Sequence, residues 1–152
     1  MSLFLGRVSH DLVVCNHTPA TPSMVAGYHG VTDEQERAFL EIKGGHNLVV
    51  LGQAGTGKSF LVRETQRRLA SEGRRVHVAA STGIAASQFL HGTTQHHFAG
   101  ILDGRFSNTE ALQRVFQQPE TVGRIREAEL LIIDEISMLS VRIFEQVSRC
   151  VD

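Results

Sequence analysis

The feature that most constrains this chain is a glycine-rich octapeptide that follows an apolar run. Its residues are Gly52-Gln53-Ala54-Gly55-Thr56-Gly57-Lys58-Ser59, which have the spacing G-x-x-x-x-G-K-S. Glycines at these positions let the backbone wrap a phosphate with its N–H groups turned inward. The lysine then reaches the β- and γ-phosphates, and the serine hydroxyl binds Mg²⁺. The octapeptide therefore predicts an ATP-binding site with a magnesium ion.

The segments on either side of the octapeptide have the structure that a phosphate loop requires. The run Asn47–Leu51 is apolar after its first residue and does not alternate, as in a parallel strand with helices over both faces. Residues 58–72 carry apolar side chains at helical spacing and are followed by Gly73 as a stop. A glycine-rich turn with a surface lysine would explain the octapeptide alone. It would not need a strand before it and a helix after it.

A second apolar run ends in two acids. The residues Leu-Leu-Ile-Ile at 130–133 precede Asp134 and Glu135. In a phosphate-loop site such a strand carries the first acid to Mg²⁺, and the second acid orients or deprotonates the attacking water. We therefore predict Asp134 and Ser59 as metal ligands, and Glu135 and Lys58 as catalytic residues. Without the octapeptide, the two acids would fit a strand end or a turn equally well.

The remaining segments alternate between strand and helix patterns. Residues 1–30 combine proline, glycine and polar residues without a period, which predicts a poorly ordered leader before a domain at 31–152. Thr32 and Gln35 have capping-box spacing at the start of a helix that runs to about Lys43. The other expected elements are a strand at 75–80, helices at 83–90, 109–117 and 120–127, a loop at 93–107, and a helix from its N-cap Ser140 to Val151.

This order of elements predicts an α/β fold with a parallel sheet between helices. In such folds ligands bind beyond the carboxyl ends of the strands, where Gly52 and Asp134 both lie. Only three runs are convincing strands, whereas an average sheet has roughly five or six. We therefore expect the fold to be incomplete.

Composition and charge exclude several classes of protein. The chain has 152 residues, 41% of them hydrophobic and 20% charged, which predicts a single folded domain. Its net charge of −1 gives no general attraction to nucleic acid, so any contact with DNA must be local. No apolar run approaches the roughly 18 residues of a membrane-spanning helix. Cys15 and Cys150 are isolated, so we expect neither a zinc site nor a disulfide framework. The absence of a disulfide pattern leads us to expect an intracellular location.

Five segments together resemble the petite-integration-frequency (PIF) family of 5′-to-3′ DNA helicases. They agree with the family in order and spacing from Val31 to about Asp152. The combination of the third segment with the last is more specific than a phosphate loop alone. The segments are 31–35 (VTDEQ), 52–59 (GQAGTGKS), 80–86 (ASTGIAA), 92–101 (GTTQHHFAGI) and 134–138 (DEISM).

The resemblance implies a P-loop NTPase with a RecA-like parallel sheet, of which this chain is part of the first of two such domains. It implies that Gln35 recognises adenine, that residues 52–59 hold the phosphates, and that Asp134 and Glu135 serve hydrolysis with Mg²⁺. It also implies a monomer with roles in DNA repair, recombination or telomere maintenance, located in the nucleus or mitochondrion of a eukaryote.

The resemblance further implies that four residues lie along single-stranded DNA: Thr82, Thr94, His96 and Phe98. A hydroxyl can bind phosphate, and an aromatic ring can stack on a base for about 1–3 kcal/mol. Without the resemblance, a core position is the better interpretation of Phe98, and a hydrogen-bonded structural role explains His96 as well. His91, His96 and His97 have no carboxylate or cysteine at ligand spacing, so they do not predict a metal site.

Two functions remain open at this point. One is an ATP-dependent DNA helicase, and the other is a nucleotide- or DNA-binding module without turnover. Gln35 does not decide between them, because the capping box explains this residue without any nucleotide. Intact Lys58, Ser59, Asp134 and Glu135 favour the helicase. The family's second domain and its arginine are not among these 152 residues, so we expect this chain alone to bind ATP without unwinding DNA.

Overall fold

The computed structural model describes residues 2–6, 12–16, 30–101 and 105–151. The strands in these ranges are β1 (Ser2–Gly6), β2 (Leu12–Asn16), β3 (Asn47–Leu51), β4 (Val76–Ala80), β5 (Thr93–Thr94) and β6 (Leu130–Asp134). The helices are α1 (Asp33–Lys43), α2 (Lys58–Ser71), α3 (Gly83–Ala86), α4 (Gln95–Ala99), α5 (Asn108–Phe116), α6 (Pro119–Glu127) and α7 (Val141–Val151), with a 3₁₀ helix at Ile136–Met138. No helix in the described ranges has the length and apolar character to cross a membrane.

The strands form one sheet in the order β2-β3-β1-β6-β4-β5. The pairs β2–β3, β4–β6 and β4–β5 are parallel, as the sequence predicts for this class of fold. β1 differs, because it pairs antiparallel with β3 on one side and with β6 on the other. The strand that leads into the glycine-rich loop and the strand that ends in the two acids are therefore separated by β1.

Helices cover the sheet on two faces, and β6 lies at the centre of both cores. All five residues of β6 are buried. Leu130 and Ile132 belong to the core beneath α1 and α2, whereas Leu131 and Ile133 belong to the core beneath α4, α5 and α7. Since successive side chains of a strand point to opposite faces, an uninterrupted apolar run is what a strand in this position requires.

β3 is covered less completely than the sequence predicts. Leu48 and Val50 are fully buried against α1 and α2. Asn47, Val49 and Leu51 on the other face are only half-buried. The helices of that second layer pack on β4 and β6, so the expectation of helices over both faces of β3 is wrong for this strand.

The predicted helix starts are confirmed at atomic detail. In α1, the backbone N–H of Gln35 donates to Thr32 Oγ1 at 3.2 Å, and the backbone N–H of Thr32 donates to Gln35 Oε1 at 3.1 Å. At the start of α7, the hydroxyl oxygen of Ser140 accepts from the N–H of Ile143 at 3.3 Å. A capping box that the sequence analysis did not identify joins Ser107 and Glu110 at the start of α5. Each cap satisfies N–H groups that have no partner inside the helix.

Several elements differ from the sequence predictions. β1 and β2 lie within the predicted leader at 1–30, and apart from Gly30 the rest of that leader falls outside the described residues. The predicted loop at 93–107 contains β5 and α4, and the helix predicted at 83–90 ends at Ala86. β5, α3 and α4 are two to five residues long, which is too short for a helical period to be recognised. The sheet of the described residues has six strands, of which the sequence predicted β3, β4 and β6.

One arginine joins α1 to α2. The side chain of Arg68 is only 7% exposed and donates to Glu36 at 2.7 Å and to Glu64 at 2.8 Å. Its guanidinium lies over the ring of Phe39, 4.6 Å from the centroid. Hydrogen bonds from Arg67 and then from Arg68 lower the pKa of Glu64 to about 2 against its partial burial. Arg68 is therefore a buried structural residue of the contact between α1 and α2.

We expect Arg68→Met to lower the free energy of unfolding by about 2–4 kcal/mol, because it leaves two partly buried carboxylates without their shared cation. Urea denaturation monitored by circular dichroism measures this change. Arg63→Met is the matched control, since Arg63 is exposed on the same helix. Equal midpoints for the two variants would show that the buried ion pairs do not stabilise the contact between α1 and α2.

Candidate nucleotide-binding site

The glycine-rich octapeptide forms the connection between the end of β3 and the start of α2. Gly55 and Gly57 adopt φ values of +83° and +85°, a region that favours glycine. Gly57 is also the N-cap residue of α2, where no side chain caps the helix and the first turn carries no acid. The N–H groups at the start of this fourteen-residue helix, and the positive end of its dipole, are therefore available to bind an anion.

Lys58 holds the loop together. Its side chain is buried, and Nζ donates to the carbonyl oxygens of Gly52 at 2.7 Å and Gln53 at 2.5 Å, and to the hydroxyl of Thr56 at 3.1 Å. Thr56 in turn donates from Oγ1 to the Gln53 carbonyl at 2.9 Å. The ammonium group is thus held at the centre of the loop, where a phosphate bound by the loop would meet it.

Gln35 contacts the loop while it caps its own helix. Its Oε1 belongs to the capping box, and its Nε2 lies 3.5 Å from the carbonyl oxygen of Gly57. A Cβ atom at Gly57 would lie 2.6 Å from Gln35 Nε2, so a side chain at this position would displace the amide of Gln35, while the positive φ itself favours glycine. The capping role and the position beside the loop that the resemblance implies are therefore compatible. Arg68 supports this position because it attaches α1 to α2.

The two acids lie at the carboxyl end of β6. Asp134 is 7% exposed, and burial raises the pKa of its carboxyl group, while the N–H of Glu135 at 3.1 Å and the charge of Lys58 oppose that rise. Glu135 has φ +58° and ψ +43°, a left-handed conformation that is uncommon outside glycine. The two acids differ in exposure at this turn, because Asp134 is buried while Glu135 is half-exposed. Strained backbone of this kind is frequent at catalytic positions.

The oxygen ligands predicted for Mg²⁺ fit that ion. Ser59 offers a hydroxyl on the first turn of α2, and Asp134 offers a carboxylate whose burial calls for a cation nearby. Mg²⁺ is commonly held by one or two protein oxygens together with phosphates and water. The described residues contain no cluster of three or more histidine, cysteine, aspartate or glutamate residues suited to a metal.

Three of the four predicted DNA contacts lie along the carboxyl edge of the sheet. Thr82 is exposed and caps α3, and Thr94 is half-buried and caps α4. His96 is half-buried on the first turn of α4. Thr94 pairs with Ala80 of β4, and Ala80 pairs with Asp134 of β6, so Thr94, Ala80 and Asp134 form one row across the sheet. The DNA candidate Thr94 therefore lies level with the acid Asp134, two strands away.

Phe98 requires a correction. Its side chain has no exposed surface and belongs to the core beneath α4, with its ring centroid 5.4 Å from that of His77. A base cannot stack on a ring that is fully covered. The prediction that Phe98 contacts DNA is wrong for this structure, and the core interpretation holds. Its neighbours Ala99 and Ile101 are buried in the same core.

Two residues near this edge have no counterpart in the sequence predictions. Gln95 is 1% exposed, and its Nε2 lies 3.4 Å from the carbonyl oxygen of Asp134. Arg124 of α6 donates to the carbonyl oxygens of His97 at 2.6 Å and of Phe98 at 3.2 Å, which fixes the end of α4. Nothing in the local sequence marks either contact, because each joins residues far apart in the chain.

Comparison with known proteins identifies relatives of this chain. A family model described as PIF1-like helicase matches residues 30–152. The chain is 41% identical over 110 residues to the ATP-dependent DNA helicase PIF5 of Trypanosoma brucei, with 72% of this chain and 12% of that protein covered. It is 37% identical over 123 residues to the ATP-dependent DNA helicase Pif1 of Bdellovibrio bacteriovorus, with 76% of this chain and 27% of that protein covered.

A solved structure has the same fold. The crystal structure of the Pif1 helicase from Candida albicans matches with a TM-score of 0.66 and 32% identity, and covers 80% of this chain and 28% of that one. The fold is therefore a partial RecA-like α/β domain, as the resemblance implies. The chain spans only about an eighth to a quarter of the length of the relatives named above.

We expect Gly57→Ala to weaken nucleotide binding by roughly tenfold or more, because the new methyl group displaces the amide of Gln35 from the loop. Titration with a fluorescent ATP analogue measures this affinity. Gly73→Ala is the matched control, since Gly73 has φ +78° and no atom within 4 Å of the added Cβ. Both variants should lose about 1–2 kcal/mol of stability from the positive φ. Wild-type affinity in Gly57→Ala would contradict the predicted role of this approach.

Proposed function

The chain belongs to the PIF1-like helicase family, and on this premise we propose that it forms the nucleotide-binding part of an ATP-dependent helicase that moves 5′ to 3′ along single-stranded DNA. The observation that carries the proposal is the arrangement at one edge of the sheet. There, the loop around Lys58 and the acids Asp134 and Glu135 flank the same space, and the charge of Lys58 acts on Asp134. Thr94 continues along that edge, and Thr82 and His96 lie two residues beyond the ends of β4 and β5.

The nucleotide site is proposed to bind ATP through its phosphates and its base. The loop N–H groups and Lys58 bind the phosphates, and Gln35 binds adenine from the start of α1. Ser59 and Asp134 hold Mg²⁺, which when bound neutralises charge on the phosphates. Glu135 is half-exposed and accepts the proton of the attacking water. Each of these roles is supported by the position of the side chain around the loop and the end of β6.

The DNA contact is proposed to be local, in keeping with the net charge of −1. Thr82 and Thr94 stand where their hydroxyls can bind phosphates of the strand, and His96 can stack on a base or bond to a phosphate. Each hydroxyl oxygen accepts an N–H bond at the start of its helix, and its O–H group can still donate to a phosphate oxygen.

Movement along DNA is proposed for the whole protein and not for these 152 residues in isolation. In phosphoryl-transfer enzymes, an arginine supplied across the cleft accelerates hydrolysis by roughly 10³–10⁵. The relatives that match this chain are several times longer than the matched region. In the whole protein, a second domain that opens and closes on the nucleotide would convert hydrolysis into steps along the DNA strand.

We expect Lys58→Ala to abolish ATP hydrolysis by the full-length protein, with and without single-stranded DNA, because the phosphates lose their cation. Glu135→Gln should keep nucleotide binding and lose turnover, roughly 10²-fold or more. A coupled assay for released phosphate measures both. Lys43→Ala is the control, since this lysine lies at the end of α1 in an exposed ion pair with Glu72. Unchanged turnover in Lys58→Ala would refute the site, and ATP binding without turnover in the wild type would favour a binding module.

We expect His96→Ala to weaken binding of single-stranded DNA by about 1 kcal/mol, roughly fivefold, while nucleotide affinity stays unchanged. Fluorescence anisotropy with a labelled oligonucleotide measures the DNA affinity. The neighbouring variant His97→Ala is the control, because His97 is exposed and its ring makes a 3.5 Å contact to Arg124, whereas the bond from Arg124 to the His97 carbonyl is kept in either variant. Equal affinities of wild type and His96→Ala would show that the strand follows another path.

A further inference from the structure

Gln95 lies between two proposed DNA contacts, Thr94 and His96, yet its side chain points into the protein. It is 1% exposed, and its Nε2 donates to the carbonyl oxygen of Asp134 at 3.4 Å. Asp134 is the proposed metal ligand, and the next residue is the proposed general base. A single side chain therefore runs from the DNA segment to the backbone that carries both acids.

The hydrogen bonding of Gln95 is incomplete in this structure. The distance of 3.4 Å exceeds the usual range of about 2.7–3.2 Å for an N–H···O bond. Its Oε1 is buried and has no hydrogen-bond partner among the described residues. A leucine would fill similar space without burying an unpaired carbonyl, so packing alone does not explain an amide here.

Two other buried glutamines show what a purely structural amide looks like in this fold. Gln66 donates to the carbonyl oxygen of Leu90 at 2.6 Å, and Gln146 donates to that of Phe106 at 2.9 Å. Both bonds are short, and neither side chain has an unpaired buried oxygen. Gln95 alone of the three combines a long bond with an orphaned acceptor, so its amide can gain bonds if α4 and β6 shift against each other.

The attachment of α4 shows where such a shift can occur. Its end is held by the buried ring of Phe98 and by the two bonds from Arg124. Among the described residues, its start meets β6 through the long bond of Gln95 and, by way of β4, through the two-residue strand β5. Force applied to Thr94 and His96 by a bound strand would therefore act on the end of the helix that carries the long bond.

We propose that Gln95 is a positioning residue that couples single-stranded DNA at α4 to the acids at the end of β6, an inference that rests on the proposed helicase function. Binding of DNA draws the start of α4 against β6, and the amide of Gln95 shortens its bond to the Asp134 carbonyl. The carboxylates of Asp134 and Glu135 are thereby set for hydrolysis. Gln95 touches neither nucleotide nor DNA, so its loss affects the response to DNA and not either binding step.

The test uses the full-length protein and compares hydrolysis with and without a saturating oligonucleotide. In Gln95→Met, the stimulation by DNA should fall roughly five- to tenfold, the range of an ordinary coupling between sites. Basal kcat, the KM for ATP and the affinity for the oligonucleotide should stay close to wild type. Gln146→Met is the matched control, since it removes the buried hydrogen bond from α7 to the Phe106 carbonyl. This variant should lower stability without changing the stimulation by DNA.

Each outcome decides the question. Full stimulation in a folded Gln95→Met overturns the coupling and leaves the helicase proposal intact, whereas a wild type without stimulation overturns both. If Gln95→Met does not unfold cooperatively in urea, Gln95→Leu replaces it with the same expectations. Failure of both variants to fold would show that Gln95 is structural and would overturn the coupling. Equal losses of stimulation in the Gln95 and Gln146 variants would do the same.

Discussion

The burial of β6 on both faces is the constraint on which the rest of the structure depends. Its side chains alternate between two cores, so α1 and α2 on one face and α4, α5 and α7 on the other are all positioned against one strand. The same strand ends in Asp134 and Glu135 at the edge where ligands bind in folds of this type. A strand that is packed between both layers gives the acids a rigid base.

The candidate site combines groups that are fixed by very different means. Lys58 is held by the carbonyls of its own loop, and Gln35 is held by a helix cap and by the ion pairs of Arg68. The acids are held by β6. The DNA candidate Thr94 ends β5 and caps α4, and His96 lies in α4, whose end is held by Arg124 and whose start meets β6 through the 3.4 Å bond of Gln95. The part of the site that is proposed to respond to DNA is thus joined to the acids by one long hydrogen bond.

Much of this arrangement could be predicted from local sequence. The glycine spacing, the apolar runs before Gly52 and Asp134, and the caps at Thr32 and Ser140 are short-range signals, and the structure confirms the elements they predict. The burial of Phe98 and of Arg68, and the contact between Gln95 and Asp134, depend on residues far apart in the chain. Such contacts leave no periodic pattern, and the two residues of β5 are too few to produce one.

The position of β1 sets the width of the nucleotide site. β3 leads into the phosphate loop and β6 ends in the acids, and one antiparallel strand lies between them. Two strand spacings amount to about 10 Å, which leaves room for phosphate oxygens, a metal ion and its water between the two walls. The width of the gap is therefore set by the backbone hydrogen bonds that β3 and β6 make to β1. Substitutions in the loop or at the acids change the side chains that line the cleft but not the distance between its two sides.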